Sequence, residues 1–309
     1  MSFLANTLGK TPLTRRRALW GLALVAPNVL GLMIFFGIPV LIAFRTSLWE
    51  WNGIRPPIEV GLGNFVTLAS DSEFWGAFGV TIKLMLFCVP IGMTLSLGVA
   101  VLLNQRLRGR AFFRTIYFLP VITSSVAATM AWSWMFQAQY GFIANVLAPF
   151  GGANISWLTS PDLVLIPIAI VVIWQRLGFD MIIFLAGLQA IPRNMYEAAT
   201  IDGANRWQMF RSITLPLLSP TTFLVLILQT ISAFQIFDQV YVLTSRTSLG
   251  GVNNSATTLS LYLYQTAFTD GDLGYSAAIA LASFGFILVL TLTQITLQRR
   301  WVYYESGTT

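Results

Sequence analysis

The chain contains no histidine and a single cysteine in 309 residues, and only 10% of its residues are charged. Without imidazole there is no His-based triad, no His metal site and no imidazole proton relay. Cys88 has no intrachain disulfide partner and cannot build a thiolate zinc site. The shortage of charge excludes a soluble globular enzyme. A typical soluble domain is about 25% charged, and too few charges remain here to cover a water-facing surface. The same composition excludes disorder, a coiled coil and a disulfide scaffold. What is abundant is apolar: 56% of the residues are hydrophobic, and the mean hydropathy is +0.71. The chain reads as an all-α, polytopic membrane protein.

A helix needs about 20 apolar residues to cross the roughly 30 Å hydrocarbon layer. Six segments qualify: 18–44, 78–103, 112–136, 163–188, 217–243 and 276–297. The first is too long for a signal peptide and is followed by no small-residue cleavage site, so it reads as a retained helix. Basic residues set the orientation. Lys10, Arg15, Arg16 and Arg17 precede span 1. Arg106, Arg108, Arg110 and Arg114 lie at the 2–3 connection, Arg193, Arg206 and Arg211 at the 4–5 connection, and Arg299 and Arg300 after span 6. The opposite side has only Arg45, Arg55 and Arg246, together with the acidic Glu50, Glu59, Asp71, Glu73, Asp162, Asp270 and Asp272. Both termini are therefore expected in the cytoplasm. Residues 1–17 and 299–309 form tails about a membrane domain of residues 18–298. This asymmetry accounts for the net charge of +6, which is then no argument for nucleic-acid binding.

The cytoplasmic 4–5 connection, residues 190–218, has a pattern of its own. Pro192 suits a first helical turn. Met195, Ala198, Ala199 and Ile201 follow helical spacing, and Gly203 suits a helix stop. A second amphipathic piece covers 207–213, so two short helices meet at Asp202-Gly203. Periodicity alone is equally consistent with an interfacial helix lying on the membrane.

The run Glu197-Ala198-Ala199, Asp202-Gly203-Ala204, then Phe210, Ile213, Leu215-Pro216 and Pro220 resembles the EAA loop of binding-protein-dependent ABC importers. Arg114-Thr-Ile-Tyr-Phe-Leu-Pro120, Gly178-Phe179 with Leu185-Ala-Gly-Leu-Gln-Ala-Ile-Pro192, Phe237–Thr244 and Arg299-Arg300-Trp301 resemble the carbohydrate and glycerol 3-phosphate uptake branch. The segment after Thr244 departs from that branch, which often has Gly-Gly-Pro there. The resemblance implies a type I permease fold. It also implies a second homologous permease subunit, two ATPase subunits that bind ATP and Mg, an extracytoplasmic solute-binding protein and a bacterial inner-membrane location. Glu197, Ala198, Ala199, Asp202, Gly203 and Ala204 would then couple to the ATPase.

No cofactor is expected in the chain itself. Gly9-Lys10-Thr11 resembles the end of a P-loop, but that loop needs another glycine where Leu4 stands. Among polar residues within spans, Lys83 is placed to snorkel, and Asp238 lies near the outer end of span 5. Arg176 and Asp180 stand at i, i+4 near the middle of span 4, beside Trp174, Gln175 and Gly178. Charges at this depth cost at least about 2.5–3.5 kcal/mol each by insertion scales. The pair either neutralises itself against a partner subunit or lines a watery path. Ser125, Trp174, Arg176, Gly178, Asp180, Gln229 and Ser232 are the expected pathway residues. Hydroxyls, amides and an aromatic wall suit a sugar, an oligosaccharide or a polyol phosphate. The rival reading is a self-sufficient secondary transporter or channel, whose signs would be inverted repeats or broken midspan helices. The sequence pattern suggests neither.

Overall fold

The computed structural model describes residues 12–105, 108–150 and 155–298. The Gly9-Lys10-Thr11 run, Arg106 and the tail 299–309, with Arg299, Arg300 and Trp301, lie outside the described residues. The described chain is almost wholly helical. Four helices are straight and long enough to cross a membrane: α1 (Arg16–Thr46), α3 (Ser72–Asn104), α7 (Leu165–Ala190) and α13 (Leu273–Gln298). Two bent pairs are also long and apolar enough to cross if each is taken as one span. The first is α4 (Arg110–Ile122) with α5 (Ser125–Met135), bent by 99°, and the second is α9 (Arg206–Leu217) with α10 (Ser219–Phe234), bent by 64°.

The unbroken spans expected at 112–136 and 217–243 are thereby corrected. Span 3 breaks at Thr123-Ser124. Thr123 Oγ1 donates to the Pro120 carbonyl at 2.7 Å, and Ser124 takes an extended conformation and accepts from the Ala127 N–H to cap α5. Short hydroxyl side chains compete for backbone groups in this way and favour helix starts over helix interiors. Span 5 breaks again at Gln235–Phe237, after which α11 (Asp238–Thr244) begins.

Two prolines widen helices without breaking them. Pro39 and Pro216 each lack an N–H and crowd the carbonyl four residues back. A π-helical turn stands just before each, at Met33–Gly37 and at Phe210–Thr214. The second cytoplasmic piece, expected to end before Leu215, therefore runs on to Leu217.

After α1, a short antiparallel hairpin of β1 (Trp49–Glu50) and β2 (Ile58–Glu59) leads into α2 (Gly63–Ser70). Leu273 and Gly274 donate backbone N–H groups to the Trp51 carbonyl, which ties this hairpin to the start of α13. After α5 come α6 (Phe142–Leu147), then α7; α12 (Leu259–Tyr264) precedes α13.

The helix α7 is the centre of the bundle. It packs against α3, α4 and α10. Val171, Ile168 and Val164 of α7 meet Leu84 and Val240 in one buried cluster, and Phe184, Met181 and Leu188 meet Leu103 and Leu218 in a second. Lipid tails are as apolar as leucine, so close packing rather than water exclusion holds such helices together. Gly178 shows how close the packing is. A Cβ there would collide with the Tyr117 carbonyl of α4.

Candidate functional site: a mid-membrane cavity and a cytoplasmic turn

The cavity lies where the broken helices meet α7. Its volume is about 420 Å³. Both breaks supply residues to it: Val121 and Ser125 flank the first, and Gln235–Gln239 span the second. Helix α7 adds Val172, Gln175, Arg176 and Phe179, and α10 adds Ser232.

One hydrogen-bond network joins the three sides. Gln239 Nε2 donates to Gln175 Oε1 at 2.8 Å and to Ser125 Oγ at 3.1 Å. Ser125 Oγ donates to Gln175 Oε1 at 3.3 Å. Below it, Arg176 Nη1 donates to Ser232 Oγ at 2.9 Å. The guanidinium carbon lies 5.5 Å from the centre of the Phe179 ring, within cation–π range. Arg176 Nε stands 3.5 Å from Asp180 Oδ2, and Gln229 Nε2 donates to the same oxygen at 2.7 Å. Asp180 is fully buried. It therefore holds Arg176 from behind and has no face on the main cavity.

The expected pathway set thus divides. Ser125, Arg176 and Ser232 line the cavity. Asp180 and Gln229 form a buried layer behind Arg176. Gly178 is a packing glycine. Trp174 does not line the cavity; its ring meets Trp132 edge-on at 5.5 Å. The wall residues outside the expected set include Gln175, Phe179, Asp238 and Gln239. Asp238, expected near the outer end of span 5 in a helix-terminal or gate-region hydrogen bond, stands at the start of α11, and that start opens into the cavity. The discernible signal was the set of polar residues Gln235, Asp238 and Gln239 inside an apolar span.

The turn in the 190–218 loop is equally specific. Helix α8 (Arg193–Ile201) ends where Gly203 takes φ +79°. The Ala204 N–H donates to the Ala199 carbonyl at 2.9 Å and the Gly203 N–H to the Thr200 carbonyl at 3.1 Å, a Schellman stop. Two residues on, Asn205 and Gln208 exchange side-chain to backbone hydrogen bonds in a capping box that starts α9. Tyr196 and Thr214 share a 3.0 Å hydroxyl contact that clamps α8 to α9. The turn encloses a cleft of about 350 Å³ whose walls include Ala199, Asp202, Gly203 and Ala204. Glu197 and Ala198 are exposed, and so are Ile201 and Trp207, at 87% and 67%.

Four membrane-length helices, two bent pairs, a polar cavity among them and a capped turn in the 190–218 loop fit a multi-pass membrane transport protein. The chain belongs to the family described as binding-protein-dependent transport system inner membrane component, which it matches over residues 89–303. It is 34% identical over 285 residues to the trehalose/maltose transport system permease protein MalF of Thermococcus litoralis, covering 92% of this chain and 95% of that one. It is 36% identical over 292 residues to the lactose transport system permease protein LacF of Rhizobium radiobacter, covering 93% and 97%. Its fold matches the crystal structure of a bacterial ABC transporter involved in import of the acidic polysaccharide alginate, with a TM-score of 0.79, 26% identity and coverage of 92% and 96%. A second structure of the alginate transporter, at TM-score 0.78 and 25% identity, is in complex with an alginate pentasaccharide-bound periplasmic protein.

The chain is accordingly a permease subunit of an ABC importer, a transport subunit without catalytic chemistry of its own. Broken helices were expected only of the rival secondary transporter. They occur here, so that criterion fails and the family match decides against the rival.

Proposed function

We propose that this subunit forms part of the solute path for a sugar or oligosaccharide and couples that path to separate ATPase subunits. The observation that carries the reading is the Ser125–Gln175–Gln239 network above Arg176 and Ser232. Amides and hydroxyls both donate and accept, as a ring of sugar hydroxyls does, and Phe179 and Phe237 offer ring faces. The names of the trehalose/maltose and lactose relatives support a sugar solute.

The turn at Asp202-Gly203, with Glu197, Ala198, Ala199 and Ala204 about it, is the ATPase contact in this reading. The exposed Ile201 and Trp207 support it, since an apolar pair on a cytoplasmic turn gains from a partner surface. ATP and Mg belong to those partners. A second permease subunit and an extracytoplasmic solute-binding protein complete the assembly. Both termini face the cytoplasm, the membrane domain covers residues 18–298, and the coupling loop covers 190–218.

The test is uptake by the assembled importer in proteoliposomes. Replacing Gln175 and Gln239 together by Leu should lower solute uptake by about tenfold or more, since each unmatched hydroxyl forfeits a hydrogen bond of about 1 kcal/mol, while assembly persists. Uptake at the unmodified rate would sink the reading.

A further inference from the structure

The charges around the cavity do not balance. Arg176 and Asp238 are the charged residues on its wall, and Asp180 lies directly behind Arg176. The guanidinium is engaged on three sides: Ser232 at Nη1, Asp180 at Nε and the Phe179 ring at its face. Its charge is matched by a fully buried carboxylate. Arg176–Asp180 is the one ion pair among the described residues, so Asp238 is left with no counter-charge within 4.0 Å. Counted together with the buried Asp180, the two wall residues sum to one net negative charge, and Asp238 is the acid that faces the cavity.

We propose that Asp238 is a specificity-determining residue that makes this cavity accept uncharged solutes and disfavour anionic ones such as uronates and sugar phosphates. The inference rests on the reading of this cavity as the solute path, and it narrows that reading. The Arg176 guanidinium is the group that would attract a carboxylate or phosphate, and the Asp180 carboxylate 3.5 Å behind it offsets its charge. A neutral sugar meets no such conflict, because its hydroxyls donate to the Asp238 carboxylate and exchange hydrogen bonds with Gln175 and Gln239. The field of one carboxylate in a confined, partly desolvated space is worth roughly tenfold in the local concentration of a univalent anion.

The test reads the cavity's potential without knowing the solute. Val121 lines the wall. Val121→Cys is placed in a Cys88→Ala background, and the importer is purified with its ATPase, partner permease and binding protein. Labelling rates are measured with anionic, neutral and cationic methanethiosulfonates of similar size, each divided by its rate with a free thiol. These reagents stand in for anionic, neutral and cationic solutes. The expected order is cationic over neutral over anionic, with the outer two differing by about tenfold or more. Asp238→Asn should bring the three rates together, and Asp238→Glu should keep them apart. The wild-type order needs no change at position 238, and the Glu variant covers the case of a misassembled Asn variant. Equal rates, a faster anion, or an unchanged bias in an assembled Asp238→Asn importer would each overturn the proposal while leaving the path in place. Failure of all three reagents to label the introduced thiol would overturn the solute-path reading itself, and the inference with it.

Discussion

Asp180 is a carboxylate with no face to water, and its partners decide what happens when it is changed. Removing one member of a buried ion pair leaves the other uncompensated, at a cost of about 3–5 kcal/mol. Arg176→Met and Asp180→Leu should therefore each lower the unfolding temperature of the complex sharply, and the double variant should recover most of the loss. Thermal unfolding of all three checks this; an additive double variant would refute the coupling. Transport then separates two roles. A double variant that assembles yet moves no solute places the pair in the path, whereas normal transport makes it structural.

Asp71, at the N-terminus of α3, makes a second prediction at this scale. It caps α3 through the Glu73 N–H at 2.8 Å, and accepts from Tyr262 and Tyr275 at 2.6 and 2.5 Å. Partial burial acts to raise its pKa, but the hydrogen bonds from Tyr262, Tyr275, Glu73 and Phe74 together outweigh this and hold it below the usual carboxylate value. A depressed folded pKa contributes stability that is present above the unfolded value of about 3.9 and is lost as pH falls through the folded value. Asp71→Asn should thus lower the unfolding temperature at pH 7. The gap to wild type should close only below about pH 4. A gap that stayed constant down to pH 3 would refute this account.

At the scale of elements, the stop between α8 and α9 depends on a left-handed residue. Nothing within 4 Å would obstruct a Cβ at Gly203, so the constraint within this chain is its φ of +79°. A non-glycine residue there costs about 1–2 kcal/mol. Gly203→Asp should leave the protein inserted in the membrane but uncouple ATP hydrolysis from uptake, and Glu197→Lys should reduce co-purification of the ATPase. Wild-type uptake by Gly203→Asp would remove the coupling role from this turn. Gly178 is the opposite case, an obstructed glycine. Gly178→Ala should separate α4 from α7 at an overpacking cost of about 1–3 kcal/mol, visible as a lower unfolding temperature.

For the whole molecule, orientation is the property to test. In a Cys88→Ala background, cysteines at Ser160 and Ser248 should react with an impermeant thiol reagent in intact cells, and one at Asn205 should not. The reverse pattern would invert the charge-based assignment.

Composition and spacing were enough for the membrane class, for the four unbroken membrane-length helices and for the helix stop at Gly203. Those features follow from local rules: about 20 apolar residues span a bilayer, basic residues stay inside, and glycine ends a helix. The Arg176–Asp180 pair was legible for the same reason, because i, i+4 neighbours on a helix must meet. The breaks were only half legible. Thr123-Ser124-Ser125, and Gln235, Asp238 and Gln239, are polar residues within apolar segments, but whether such residues end a helix depends on what their side chains find to bond. Tertiary structure alone decided that Gln239 reaches Gln175 across 64 positions, that Asp180 turns away from the cavity while Asp238 faces it, and that Trp174 packs on Trp132. Each depends on how three helices and two bends are placed relative to one another, and no periodicity within one segment encodes that.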